Sequence, residues 1–300
     1  MSSPLKNIAI IGASGRIGKI ILDGLLETSQ FNITAISREE STATFPPQVN
    51  VLKSDLSEEN LVPAFQGQDA VISVIGGMGI ADQKKFVDAA VRAGVKRFIP
   101  SEFSVNSLND AVLQLLPVFQ VKKDLIEYLK TKESEGLSWT GIATSALLDW
   151  CLRNGGLEFD VVGRTATIWD GGNKSFTLTN EKELQEAVVA VLHHPEKTRN
   201  QYLYVASVET TQKEILSALE EETGSKWNVT ETTTDEQVQE GVKRLAAGDF
   251  GGALIALRAS IFGDTPGLEA NYAKDIGLAN ELLGLTLEDV QATVRRVLSN

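Results

Sequence analysis

The feature that most constrains this chain is a glycine turn, Gly12-Ala13-Ser14-Gly15-Arg16-Ile17-Gly18, set between an apolar run and a segment of helical spacing. The run Ile8-Ala9-Ile10-Ile11 is short, continuously apolar and stops at glycine, as a strand buried on both faces of a parallel sheet does. After it, Ile17, Ile20, Ile21 and Leu25 recur at helical intervals, and Gly24 falls on the same face. Glycines at this spacing mean little alone; between strand and helix they mean a phosphate turn. The first permits the bend, the second lets backbone N–H groups approach a pyrophosphate, and the third lets helix and strand pack closely. The helix N-terminus adds free N–H groups and its positive dipole end.

The alternation continues. Residues 32–37, 49–52, 70–75, 97–100 and 138–142 read as further strands. Helices are expected from Ser57 as cap, over 80–93 with Gly94 as stop, and over 118–132. This predicts an α/β protein with a doubly wound, Rossmann-type parallel sheet. Beyond residue 150 the rhythm loosens. Short β-like runs occur at 166–169 and 202–205, and helical ones at 181–192, 212–223, 235–247 and 286–298. The expected division is a nucleotide-binding domain over 1–152. Residues 153–300 then form a smaller α/β substrate lobe that returns some elements to the sheet.

The end of the second strand selects the nucleotide. An NAD site places a carboxylate about 20 residues on, against the ribose 2′-hydroxyl; here Ser37 and Arg38 stand there, a hydroxyl and a guanidinium suited to a 2′-phosphate. NADP(H) is therefore expected over NAD, although Glu39 and Glu40 follow at once. Asp55 either bonds the adenine or shares the capping of the next helix with Ser57. Ile75 ends strand four, and Gly76 and Gly77 after it bring backbone against the ribose and pyrophosphate or simply form a turn.

A formal net charge of −12, without a dense basic run, argues against nucleic acid. No run of about 18 apolar residues predicts a membrane span. Met1-Ser2-Ser3-Pro4-Leu5-Lys6 lacks the apolar core of a secretory signal. The single cysteine, Cys151, excludes an internal disulfide, so a cytoplasmic protein is expected. Oligomeric state is not legible.

The ordered set of the glycine turn, Ala81-Asp82-Gln83, Ala93-Gly94-Val95-Lys96-Arg97-Phe98-Ile99-Pro100-Ser101-Glu102-Phe103 and Phe119-x-x-Lys122 resembles a known family. It is similar to the NmrA-like, isoflavone-reductase-like branch of atypical short-chain dehydrogenases. The likeness covers residues 7–150 well and runs more loosely through Trp169-Asp170-Gly171-Gly172 and 195–205. It implies an NADP-binding Rossmann domain, a smaller substrate lobe and, often, reduction of aromatic or plant- and fungus-derived secondary metabolites. It also aligns Lys122 with the family's active-site lysine, which would contact the nicotinamide ribose and move a proton.

Tyr128-Leu129-Lys130-Thr131-Lys132 matches the Tyr-x-x-x-Lys pattern of ordinary short-chain dehydrogenases but lies too late in its helix. Four residues before Lys122 stands Val118, which has no acid. Ser101 and Ser104 face substrate or form a turn, with Phe103 between them. Trp150, Trp169 and Phe176 wall an apolar pocket or pack a core. His193 and His194 are adjacent and point apart, so no metal site is expected. Three functions stay open. The first is an NADPH-dependent reductase of a small aromatic or unsaturated molecule, assisted by Lys122. The second is a regulatory protein of NmrA type that senses NADP(H), and the third an enzyme of non-redox rearrangement.

Overall fold

Apolar runs that end in polar or glycine-rich sequence pair side by side into one sheet. The computed structural model describes residues 5–299; Met1-Ser2-Ser3-Pro4, part of the stretch read for a secretory signal, lie outside them. In chain order the first half holds β1 (Asn7–Ile11), α1 (Arg16–Thr28), β2 (Asn32–Arg38), β3 (Asn50–Ser54), α2 (Glu58–Phe65) and β4 (Ala70–Ser73). Next come α3 (Gln83–Arg92), β5 (Arg97–Ile99), α4 (Asp110–Leu115), α5 (Gln120–Thr131) and β6 (Ser138–Ala143). The second half adds α6 (Leu148–Asn154), β7 (Phe159–Asp160), β8 (Thr165–Trp169), β9 (Ser175–Leu178), α7 (Glu181–His193), β10 (Gln201–Tyr204) and β11 (Val208–Thr211). After these run α8 (Gln212–Thr223), β12 (Asn228–Thr232), α9 (Thr234–Ala246), α10 (Gly251–Phe262), α11 (Tyr272–Asp275), α12 (Asn280–Leu283) and α13 (Val290–Leu298).

The main sheet has seven strands in the order β10-β6-β5-β4-β1-β2-β3, and every pairing in it is parallel. The fold is thus α/β and doubly wound, as the alternation implies. Successive residues of β1 serve opposite faces. Ile8 and Ile10 pack with Ile21 and Leu25 of α1 and Val188 and Val191 of α7. Ala9 and Ile11 join Leu61, Phe86, Phe98 and Leu125 on the other face. Burial on both sides is why β1 shows no polar alternation. The strand order reverses between β1 and β4, which opens a crevice at their C-terminal ends, where such sheets take ligands.

The lobe gathers around Trp169, Phe176, Phe262, Ile215, Leu219 and Val294. It carries a three-stranded sheet, β12-β8-β7, and the antiparallel pair β9–β11. Its chain does not stay apart. β10 is the edge strand beside β6, and α7 packs on α1, where a Cβ at Gly24 would stand 2.5 Å from the Gln185 Cβ.

Three expected helices start later than their apolar spacing suggests. Residues 77–82 form a 3-10 turn before α3, with Gly77 at φ +58° at its start. A similar turn, Pro117–Phe119, precedes α5. α13 waits for Asp289, whose carboxylate caps it through the Gln291 N–H at 2.9 Å. α10 is not visible in the sequence: it opens on Gly251 and Gly252 and is apolar around most of its circumference, so no stripe marks it. No helix among the described residues is long and apolar enough to cross a membrane.

Candidate active site

The glycine turn is built as its spacing requires. Gly12 stands at φ +88°, and a Cβ there would lie 2.4 Å from the Val74 carbonyl oxygen. A Cβ at Gly18 would lie 2.1 Å from the Gly12 oxygen, so α1 could not approach the turn with any side chain at that position. Gly15 donates its N–H to the Gly12 carbonyl at 3.0 Å and is the N-cap of α1. Having no side chain, it caps nothing, and the first-turn N–H groups of α1 are left for a ligand.

Above the turn lies a cavity of about 400 Å³, lined by Gly12, Ala13, Ser14 and Gly15, by Ser37 and Arg38 of β2, and by Ile75 and Gly76 beyond β4. These expected residues come together. Ser41, Phe45, Leu56, Gly79 and Asp82 also line it and were not expected as site residues. The Arg38 guanidinium is 68% exposed at the mouth, with Nε 3.3 Å from a Glu40 carboxylate that is as exposed. Lys53, opposite Ser37 in the neighbouring strand, donates to the Arg38 and Ser41 carbonyls and holds that turn.

Several expected residues stand elsewhere. Asp55 does not line the cavity. Its carboxylate accepts from the Ser57 N–H at 2.8 Å and Asn60 Nδ2 at 3.1 Å, and hydrogen bonding by the Ser57 side chain first, then by these two donors, draws its pKa down to about 2. Ser57 caps α2 as expected, and the wall position passes to Leu56 at φ +60°. Gly77 belongs to the 3-10 turn and not to the lining. Arg16 also points away, its guanidinium stacked 3.8 Å from the centroid of the Trp150 ring.

The motif residues after β4 and β5 have structural partners. Gln83 is buried and accepts the Ser101 N–H at 2.9 Å, while the Ser101 hydroxyl donates to the Ile75 carbonyl at 2.7 Å. Ser101 thus ties two strand ends together, its hydroxyl proton given to the Ile75 carbonyl. Trp169, 1% exposed and edge-on to Phe262 at 5.0 Å, belongs to the lobe core, as does Phe176. Phe103 is buried against the first core, and Trp150 lies half-buried between the two.

Lys122 is 4% exposed, near the start of α5. Its ammonium donates to the Glu102 carbonyl at 2.7 Å and the Ser104 hydroxyl at 2.9 Å, under the Phe119 ring at 4.6 Å. Burial pushes its pKa down, and the Glu102 charge opposes that shift. Ser104 is therefore a lysine partner. Tyr128 donates to Asp88 on α3, and Lys132 pairs with the same carboxylate at 3.2 Å, so this Tyr-x-x-x-Lys pattern braces two helices. His193 stacks on Phe31 at 5.4 Å. Burial raises the Cys151 thiol to about 12, too high for a nucleophile.

Residues 4–249 match the NmrA-like family. The chain belongs to that family. This NmrA-like protein is 33% identical to oxidoreductase aprR of Aspergillus flavus over 294 residues, 97% of this chain and 98% of the relative. A crystal structure of isoflavone reductase is 25% identical with a TM-score of 0.76, covering 97% of this chain and 99% of that one. AtPrR2, solved with NADP+ and (+)pinoresinol, shares the fold at a TM-score of 0.80 and 18% identity, over 99% and 100% of the two chains. Within its family the protein sits in the isoflavone-reductase-like branch of atypical short-chain dehydrogenases.

Proposed function

We propose that this chain is an NADPH-dependent reductase of a small aromatic or unsaturated molecule, with Lys122 as its catalytic lysine. It is an oxidoreductase, and NADP(H) is its cofactor. The residues fit that group. The glycine turn and the uncapped start of α1 would hold the pyrophosphate. Ser37 and Arg38 would hold the 2′-phosphate, since the exposed pair with Glu40 is worth little and leaves the guanidinium free to turn. Bound NADPH supplies the hydride, and the protein supplies position and charge.

The arrangement of Lys122 carries the reading. Two of its three N–H donors are fixed by Glu102 and Ser104, leaving one to offer a ribose or a substrate oxygen. Burial brings its proton exchange closer to neutral pH than that of a surface lysine. Phe103 and Trp150 remain candidates for the substrate wall.

A protein that senses NADP(H) without turnover has one observation on its side: the nucleotide cavity ends before Lys122, which Phe119 covers. The test is NADPH consumption and product formation over a broad set of aromatic and unsaturated acceptors, with wild type and Lys122→Ala. Stoichiometric consumption by wild type and a loss of about 10²–10⁴-fold in the variant are expected. Full turnover in the variant removes the role of Lys122. No consumption by wild type, with a strong preference for one cofactor form, favours the sensor. Conversion under NADP+ without net redox change would favour rearrangement.

A further inference from the structure

At the end of the sheet opposite the nucleotide crevice, β5 and β6 begin on polar residues, Arg97 and Ser138. A second cavity, of about 280 Å³, lies there and shares no lining residue with the first. Its charged lining is Lys96, Arg97 and Arg199, against one carboxylate, Glu196.

Arg97 is 2% exposed, yet its guanidinium meets no carboxylate at ion-pair distance among the described residues. Its Nε donates to the Ser138 hydroxyl at 2.9 Å, and Nη1 to the hydroxyls of Thr140 and Thr198 at 2.8 and 3.0 Å. Nη2 donates to the Pro195 carbonyl, which leaves one of its N–H groups over. Every one of these acceptors is neutral. A buried charge with only neutral partners keeps much of its desolvation cost, and an opposite charge is what ordinarily offsets it. Burial first, then the Arg199 charge, brings the Arg97 pKa down to about 10, with Glu196 opposing, so the group stays charged at neutral pH.

The chain supplies no such charge in contact. Asp69, whose carbonyl accepts the Arg97 N–H at 3.1 Å, gives its carboxylate to Lys96 at 2.7 Å. The same carboxylate accepts the N–H groups of Lys6 and Asn7, each at 3.0 Å. Glu196 is exposed at the rim and forms no ion pair among the described residues. Arg199, exposed near it, has neither an ion pair nor a side-chain hydrogen bond among them.

We propose that this cavity binds a phosphate group, free or carried by a small molecule. Arg97 would offer its remaining N–H from the buried side and Arg199 its planar fork from the rim, with Lys96 as a third cation. Phosphate suits the set better than a carboxylate. Its tetrahedral oxygens take donors from both sides at once, and its charge, more than one unit at neutral pH, answers the second guanidinium. Glu196, of like charge, works against the ligand. The site is independent of the reductase reading.

The test follows backbone amide NMR signals of Ser138 and of residues 195–199 in the full chain. NADP+ is kept saturating, so that phosphate cannot occupy the glycine turn. Inorganic phosphate and glycerol phosphate are titrated separately at constant ionic strength, with acetate for comparison. A saturable shift is expected with a phosphate, and the tighter of the two tells a free ion from a phosphorylated molecule as the source. Arg199→Ala, a change at the exposed rim, should weaken binding by about tenfold or more. Glu196→Gln should tighten it by about twofold or more. NADP+ affinity should be the same in both variants. Shifts that grow without saturation, that acetate matches, or that persist unchanged in both variants would overturn the site.

Discussion

Arg38 is placed to decide which nucleotide is held. It lines the mouth of the cavity, and its one ion-pair partner among the described residues, Glu40, is itself in water. A guanidinium on a phosphate gives a charge-assisted contact worth about 1.5–3 kcal/mol, roughly ten- to hundredfold in affinity. Arg38→Ala should therefore weaken NADPH by about that factor and leave NADH within about twofold. Direct titration of both nucleotides checks it, and an equal loss for the two would mean that Arg38 does not read the 2′-phosphate. Arg38 was legible because its place is set locally, by the end of a strand whose start was already known. Gln83 and Glu102 were not. Their hydrogen-bond partners are Ser101, 18 residues away, and Tyr202, 100 residues away. Asp55 shows the converse: a carboxylate in the right place by count is drawn off by N–H donors two and five residues on, and a leucine takes the wall.

At the scale of the element, α1 separates two uses of glycine. At Gly18 a Cβ would meet backbone, 2.1 Å from the Gly12 oxygen and 2.8 Å from the Ala13 Cα, so the turn itself must move. At Gly24 it would meet α7, 2.5 Å from the Gln185 Cβ, and the adjustment falls between two helices. Overpacking costs about 1–3 kcal/mol, against about 1 kcal/mol gained when alanine replaces glycine inside a helix. Both Gly18→Ala and Gly24→Ala should lower the urea midpoint. Only Gly18→Ala should also weaken NADPH substantially. Equal nucleotide affinity in the two variants would show that the turn tolerates the displacement. The helix carrying these glycines was readable because its apolar stripe faces one core. α10 was not, since it packs against the lobe on one side and exposes Leu254 on another, leaving no periodic contrast.

The boundary expected at residue 152 divides the sequence more cleanly than it divides the molecule. β6 is an edge strand without β10, which pairs with it from Gln201↔Thr140 to Tyr204↔Ala143. α1 without α7 loses the cover that Leu184, Val188 and Val191 give to its core face. A fully buried side chain of this size contributes about 1.5–3 kcal/mol, so these three alone weigh against a typical total stability of about 5–15 kcal/mol. A bare β6 would also present unpaired backbone to other chains. Arg97 adds a polar tie: buried at the start of β5, it donates to Thr140 at 2.8 Å and to Thr198 at 3.0 Å, beyond the boundary. The full chain should therefore unfold as one unit in urea. Trp139 of the main sheet and Trp169 and Trp227 of the lobe should report the same midpoint as far-UV circular dichroism. A fragment of residues 1–152 should aggregate or unfold without a cooperative transition. If that fragment instead stays monomeric, unfolds cooperatively and binds NADPH, then α7 and β10 are dispensable cover, and the nucleotide domain is complete without them.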